Sequence, residues 1–592
     1  MTDELKNENP SGPIPANVSL SGGGEAGKVA EYLVAKEGET KLDRLIDKIS
    51  DFCSSILVKE TRQAVKSRQF VSTFMLLLVL VIVWTFFALS PERQGYDVDS
   101  LGSLMLCGYL IILGLPLVLI IPYTTFRSLA AEYENGTIEM VLITTMKPWQ
   151  IIAGKLGSAM LQVLIYLSAL APCISFCYLL RGVDITQLWY AIGGGLVVTT
   201  GLCCFSIALA SAADNTRVVQ VLSFFLSIGL LFCAWWWCFI AYQICFQPVP
   251  SGDRPLVNLI IAGPVLAFLS FAVILFFAAS AKIAFPSSNR STMIRICITG
   301  QAIVYVGYIL ACSCAFGFHK YMFMFSSVVA MQYLLVVGAM MVACHPGLSP
   351  RVRRTLPTSF IKRSLFSLYM PGPGRAFLFM IGLALGLSTT LAMFALGHSF
   401  FDITFDLNTT TMMGRGGRNV LSAIDVRFSV CAVVANFVFF LFFFCLTFLI
   451  SRVFAWRSAH RNPFVIELAI VPPVLLFLVT IGSYVIAPYI FDDYNYGFEF
   501  SQMFNWYRIQ YMAVATASSD VILHLIAIGA ITSVLLFFCL RYVVPEFAVS
   551  RAAVPDRVLE ENEELKRERI WGSEADEETI DEIFAAVRPD RE

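Results

Sequence analysis

The feature that most constrains this chain is the recurrence of apolar stretches about 20 residues long, the length at which a helix crosses a bilayer. They fall near 69–90, 104–126, 151–180, 186–213, 217–244, 256–281, 293–316, 322–344, 376–397, 430–451, 464–490 and 520–541. Lipid offers no partners for backbone N–H and C=O groups, so each stretch has to close its hydrogen bonds within itself, as a helix. Composition points the same way. With 57% hydrophobic and 14% charged residues, polar surface is too scarce to enclose the apolar residues in water. The expected fold class is an all-α polytopic membrane protein with about twelve transmembrane helices.

Charge sets the expected orientation. Lys59, Arg62, Lys66 and Arg68 precede the first stretch, whereas the loop after it sets Arg93 against Glu92, Asp97 and Asp99. Basic loops stay on the cytoplasmic side, so the N-terminus is expected there, with the first span directing insertion. Counting forward places 127–150, 214–217, 282–295, 345–375 and 452–463 on the same side, with both termini cytoplasmic in a multi-pass membrane protein. The loop 345–375 is densest in basic residues, with Arg351, Arg353, Arg354, Lys362, Arg363 and Arg375. One outer loop dissents: Arg415, Arg418 and Arg427 lie in 399–429, offset by Asp402, Asp406 and Asp425.

Between the second and third spans lies RSLAAEYENGTIEMVLITTMKPWQIIAGK, residues 127–155. Ser128 to Glu134 reads as helix, Asn135-Gly136 as a turn pair, and Thr137 as a cap for a second segment reaching Met146. Pro148 fits the first turn of the following helix, where its missing N–H does no harm. Upstream, 1–40 reads as a flexible tail rich in Asn, Pro, Ser and Gly. Its Gly22 to Lys28 run has the outline of a phosphate-binding loop, but Val29 stands where Ser or Thr would hold magnesium and no strand precedes it. Over 41–58, Leu42, Leu45, Ile46, Ile49 and Phe52 share one face, which predicts an amphipathic helix in the membrane interface.

Chemistry inside the spans is sparse. His398, Glu467, Asp520 and His524 fall near predicted span ends, leaving a proton-driven carrier little to work with. The five histidines are scattered, and no paired carboxylate or nucleophile–base grouping stands at recognisable spacing. The 16 cysteines form no C-x-x-C pair and read as small apolar residues. Cys173 and Cys177 share a helix face, but packing explains them more simply than a metal path. The net charge of −1 implies no nucleic-acid partner.

A transport role would then draw its energy from a separate subunit. The residues Glu132, Gly136, Thr137, Glu139, Leu142, Thr144, Thr145, Pro148, Gly154 and Lys155, in a loop between the second and third spans, follow an E-x-x-x-G-T-I/L-E pattern with a Thr, Pro and Gly-Lys continuation. That pattern resembles the ABC-2 type permease family, the membrane subunits of ABC exporters. The lead-in ILVKETRQAVKSRQF, with its E-x-R segment, is similar to the family's start. The resemblance spans about residues 54–285. Pro148 lies a few residues beyond the family's usual Thr-Pro junction, and the family's usual chain ends after six helices.

The resemblance implies an exporter permease whose loop 127–155 contacts a nucleotide-binding subunit. The coupling residues would be Glu132, Glu134, Gly136, Thr137, Glu139, Pro148 and Lys155. This chain would bind no cofactor itself, with ATP and Mg on a partner ATPase dimer. The permease path would be completed by its own second half, a second copy or a partner permease. The expected organisation is a tail (1–40), an interfacial helix (41–58), an ABC-2-like six-helix domain (59–285), a six-helix region of unassigned role (286–542) and an acidic cytoplasmic tail (543–592). Rival readings are a non-transporting membrane scaffold or assembly factor, a membrane-embedded enzyme and a proton-coupled carrier.

Overall fold

The computed structural model describes residues 55–89, 101–143, 146–180, 183–213, 216–246, 254–285, 287–316, 320–343, 348–354, 366–406, 430, 433–452 and 519–547, with 356, 359, 362, 557, 560, 561 and 563 as isolated positions. The helices in chain order are α1 (Ser55–Val65), α2 (Arg68–Ala88), α3 (Leu101–Gly114), a π segment (Leu115–Ile120), α4 (Ile121–Glu134), α5 (Thr137–Ile143) and α6 (Pro148–Leu179). There follow α7 (Ile185–Ala212), α8 (Thr216–Phe246), α9 (Arg254–Ile283), α10 (Thr292–Phe316), α11 (Lys320–Ala343), α12 (Pro350–Arg354) and α13 (Pro373–Asp406). The last two are α14 (Val433–Arg452) and α15 (Ser519–Phe547). Among the described residues eleven helices are long and apolar enough to cross a membrane, which makes this an all-α, multi-pass membrane protein. The expected span at 464–490 and the leading face of the interfacial helix (Leu42, Leu45, Ile46, Ile49, Phe52) lie outside the described residues.

The second span is longer than its apolar stretch. From Leu101 to Glu134 the helix is continuous, passing through the π segment where Pro116 can offer no N–H to a regular ladder. There the Ile121 N–H bonds back to the Pro116 carbonyl, five residues earlier, so the segment absorbs the fault without breaking the rod. The helix therefore carries Ser128 about half a turn and Glu132 nearly two turns past the apolar stretch. Pro172 sits inside an uninterrupted α6, as prolines in membrane helices often do.

Two buried apolar clusters meet on α9. The first runs from Leu77 to Ile283 and centres on Leu106, Leu110, Phe126, Ile152, Val163 and Ile207. The second runs from Ile274 to Val543 and is built on Phe377, Phe440, Phe444 and Phe448, with Phe377 stacked on Phe444 at 5.2 Å between centroids. In the Trp235-Trp236-Trp237 run the first two rings are exposed, as suits an aromatic belt, but Trp237 is buried. Its Nε1 donates to the Leu110 carbonyl at 2.8 Å. A buried indole N–H needs such a partner, and here it fastens α8 to α3.

Candidate functional site

The candidate site lies where α1, α4 and α6 converge. Lys155 in the second turn of α6 is 3% exposed, yet its ammonium group is fully engaged. Nζ donates to Ser128 Oγ at 2.8 Å, to Glu132 Oε1 at 3.0 Å and to Glu60 Oε1 at 3.2 Å. Ser128 Oγ in turn donates to Glu60 Oε2 at 3.3 Å. An ammonium has three protons to give, and three oxygens, one on α1 and two on α4, take them. Charge is not balanced here: two carboxylates face one lysine.

Backbone geometry explains how these groups meet. Ser128 and Glu132 are four residues apart on α4 and so share a face. On α6 the absence of a side chain at Gly154 lets α1 close in, since a Cβ there would lie 2.8 Å from Ile56 Cγ2 and 3.3 Å from the Leu57 nitrogen. That approach brings Glu60, one turn further along α1, to Lys155. The turn between α4 and α5 is set by Gly136 at φ +67°, a left-handed conformation that glycine adopts without Cβ strain.

Thr137 departs from its expected role. Its hydroxyl donates backwards to the Glu132 carbonyl at 3.3 Å, closing the end of α4 rather than capping α5. Pro148 does take the first position of α6, where Gln150 Oε1 accepts from the Lys147 N–H at 2.9 Å. The second loop segment is shorter than expected, ending at Ile143.

A polar cavity of about 400 Å³ opens beside the lysine, bounded among others by Gln63, Thr124, Ser128, Glu132, Lys155 and Gln162. It runs between α2 and α6 to the Thr73 and Tyr166 hydroxyls, which are hydrogen-bonded at 2.7 Å. Polar groups thus extend from the loop into the span region, a path that the sparse charges of the sequence did not suggest.

Of the expected coupling residues, Glu132 and Lys155 meet directly. Glu134 and Thr137 are exposed at the α4–α5 corner with Gly136, and Pro148 is half-buried. The side chains of Glu139 and Leu142, and Thr144 and Thr145 altogether, lie outside the described residues. Two participants were not singled out from the sequence: Glu60, which belongs to the E-x-R segment, and Ser128. Arg290, in the joint between α9 and α10, adds a neighbour: its guanidinium lies near Tyr133 at the end of α4. Burial pushes Arg290 below the usual arginine range, partly opposed by Tyr133.

Beyond this network α5 projects outward. Ile138 is buried, whereas Met140 is 73% and Ile143 82% exposed, an apolar tip on a segment otherwise held by polar bonds. Among the described residues no group of three or more His, Cys, Asp or Glu could hold a metal ion. No protein family, curated protein or solved structure matches the chain.

Proposed function

We propose that the chain is the permease subunit of an ABC-type exporter of the bacterial inner membrane, with both termini cytoplasmic, moving its substrate outward by alternating access while a separate ATPase dimer supplies the energy. The observation that carries this reading is the Lys155 node with α5 above it. The two apolar side chains at the tip of α5, Met140 and Ile143, form a small knob of the kind a partner pocket takes up. The knob is joined through the Gly136 turn to α4, and α4 is tied through Glu132 and Lys155 to α6 and through Ser128 to Glu60 on α1. A push on α5 is therefore handed to the second span, the third span and the helix before the first span together. Such a buried, charged joint transmits displacement because breaking any one partner leaves an uncompensated charge.

Glu134, exposed beside the knob, offers negative charge to a basic rim on the ATPase, which favours correct encounter more than affinity. The polar cavity behind Lys155 gives the three elements room to shift against one another. The test is co-expression with a candidate ATPase that carries Walker and signature motifs, followed by purification through a tag on the permease. Ile143→Asp, alone and with Met140→Asp, is expected to reduce recovery of the ATPase by about tenfold or more, the loss of one well-packed anchor. Insertion and thermal stability should stay as in the parent, because both side chains are already in solvent. Full recovery of the ATPase by the doubly substituted chain would remove α5 from the interface.

A further inference from the structure

We propose that the arginines gathered at the ends of α10, α13 and α14 form a binding site for the phosphate of an anionic membrane lipid. This rests on the membrane-spanning fold and not on the coupling role of α5. Arg295 and Arg375 are 2% and 3% exposed, and Arg452 closes the span of α14. Arg295 donates Nη1 to the Leu368 carbonyl and Nη2 to that of Gly372, the latter at 3.3 Å. Arg375 donates Nε to Ser367 Oγ at 2.8 Å, Nη1 to the Pro371 carbonyl at 3.1 Å and Nη2 to the Glu546 carbonyl at 2.5 Å.

Among the described residues, the carboxylate beside Arg295 and Arg452 is one and the same. Glu546 on α15 is the carboxylate near Arg295 and Arg452, and Arg375 is a further positive neighbour of Arg295. Even that carboxylate is partly committed, accepting from the Gly374 N–H at 2.9 Å. Buried donors remain: Nε of Arg295, and both Nε and Nη2 of Arg452, have no hydrogen-bond partner among the described residues. Excess buried positive charge with unused donors is costly unless an anion compensates it.

The depth of the cluster selects the anion. Arg295 is the fourth residue of the span Thr292–Ala315 and Arg375 the third of Pro373–Leu396, while Arg452 ends Val433–Arg452 and Glu546 is next to last in Ile526–Phe547. All four therefore sit where a helix leaves the hydrocarbon, at headgroup level. Basic pockets between membrane helices at that depth suit acidic headgroups, and guanidinium groups match phosphate oxygens in geometry and charge. Phe448, whose ring lies 5.3 Å from the Arg452 guanidinium carbon, ties that group to the buried core and fixes its place at the end of α14.

The test uses the full chain purified in detergent, with native mass spectrometry and thermal unfolding in the presence of phosphatidylglycerol, phosphatidylcholine or inorganic phosphate. The parent protein is expected to retain phosphatidylglycerol in preference to phosphatidylcholine and to be stabilised by it. Arg452→Gln should weaken that retention by about tenfold, as loss of charge-assisted bonds implies. Arg295→Gln should do the same where it folds, and Arg452→Gln carries the test where it does not. Arg557→Gln, in an exposed pair with Glu561, should behave as the parent. Equal retention of the two lipids, or undiminished phosphatidylglycerol binding by Arg452→Gln, would overturn the proposal. So would stabilisation by inorganic phosphate without any preference between the lipids.

Discussion

At the scale of single residues the account turns on Lys155. Replacing it with Met leaves Glu60 and Glu132 facing each other in a largely buried site, and loss of one partner from such a set costs about 3–5 kcal/mol. The expected result is a clear drop in the unfolding temperature of the purified chain. Lys155→Met combined with Glu60→Gln and Glu132→Gln should recover much of it, because no charge is then stranded. Gly154 gives a second, steric prediction. Gly154→Ala sets a methyl against Ile56 and the backbone of Leu57, an overpacking that costs about 1–3 kcal/mol. Gly193→Ala, where nothing lies within 4 Å, should be close to neutral in the same assay. Glu132 and Lys155 were both legible as marked positions, since they carry the loop pattern. Their pairing with Glu60 was not, because a contact between residues 95 positions apart has no trace in local spacing.

At the scale of elements the π segment decides where Glu132 points. A π turn holds one residue more than the α-helix it interrupts, and one residue turns a helix by about 100°. Deleting Leu119 from the π segment should return the ladder to regular form and keep Glu132 on Lys155. Deleting Tyr123, beyond that segment, should swing Glu132 away and lower stability as Lys155→Met does; thermal unfolding of the two deletions compares them. The apolar stretches gave the spans directly, because lipid leaves the backbone no alternative to helix. Their ends were harder to read. Ser128 to Glu134 reads as helix and is helix, but its continuity with the span through the π segment, its inner face tied down by Ser128 and Glu132, had no mark in local spacing. Thr137 fits a forward cap by sequence, but α5 begins at Thr137 itself, and its hydroxyl proton goes back to the Glu132 carbonyl. Trp237 looked like its two neighbours until the Leu110 carbonyl and the groove beside it were in place.

At the scale of the molecule, two apolar cores share α9, and polar clusters gather at span ends in each half. In the first, two carboxylates surround one lysine, and in the second, Arg295 and Arg452 share one carboxylate among the described residues. Arg290 near Tyr133 joins the 127–150 and 282–295 segments at one end of the helices. Single cysteines placed at 134 and 290 in a cysteine-free background are therefore expected to react with an impermeant thiol reagent from the same side of the membrane. Labelling of the two from opposite sides would break the topology. Charge counting foretold that shared end, whereas the two clusters emerge only once distant spans pack. The central claim is that α5 is the part of this chain that an ATPase grips. Its most direct measurement places a photoreactive amino acid at position 140 and, as a lipid-facing control, at the exposed Val221 of α8, in cells that also express a candidate ABC ATPase. Irradiation is expected to join the ATPase to the chain from position 140 and not from 221; an ATPase that co-purifies with the chain yet never cross-links from 140 would contradict it.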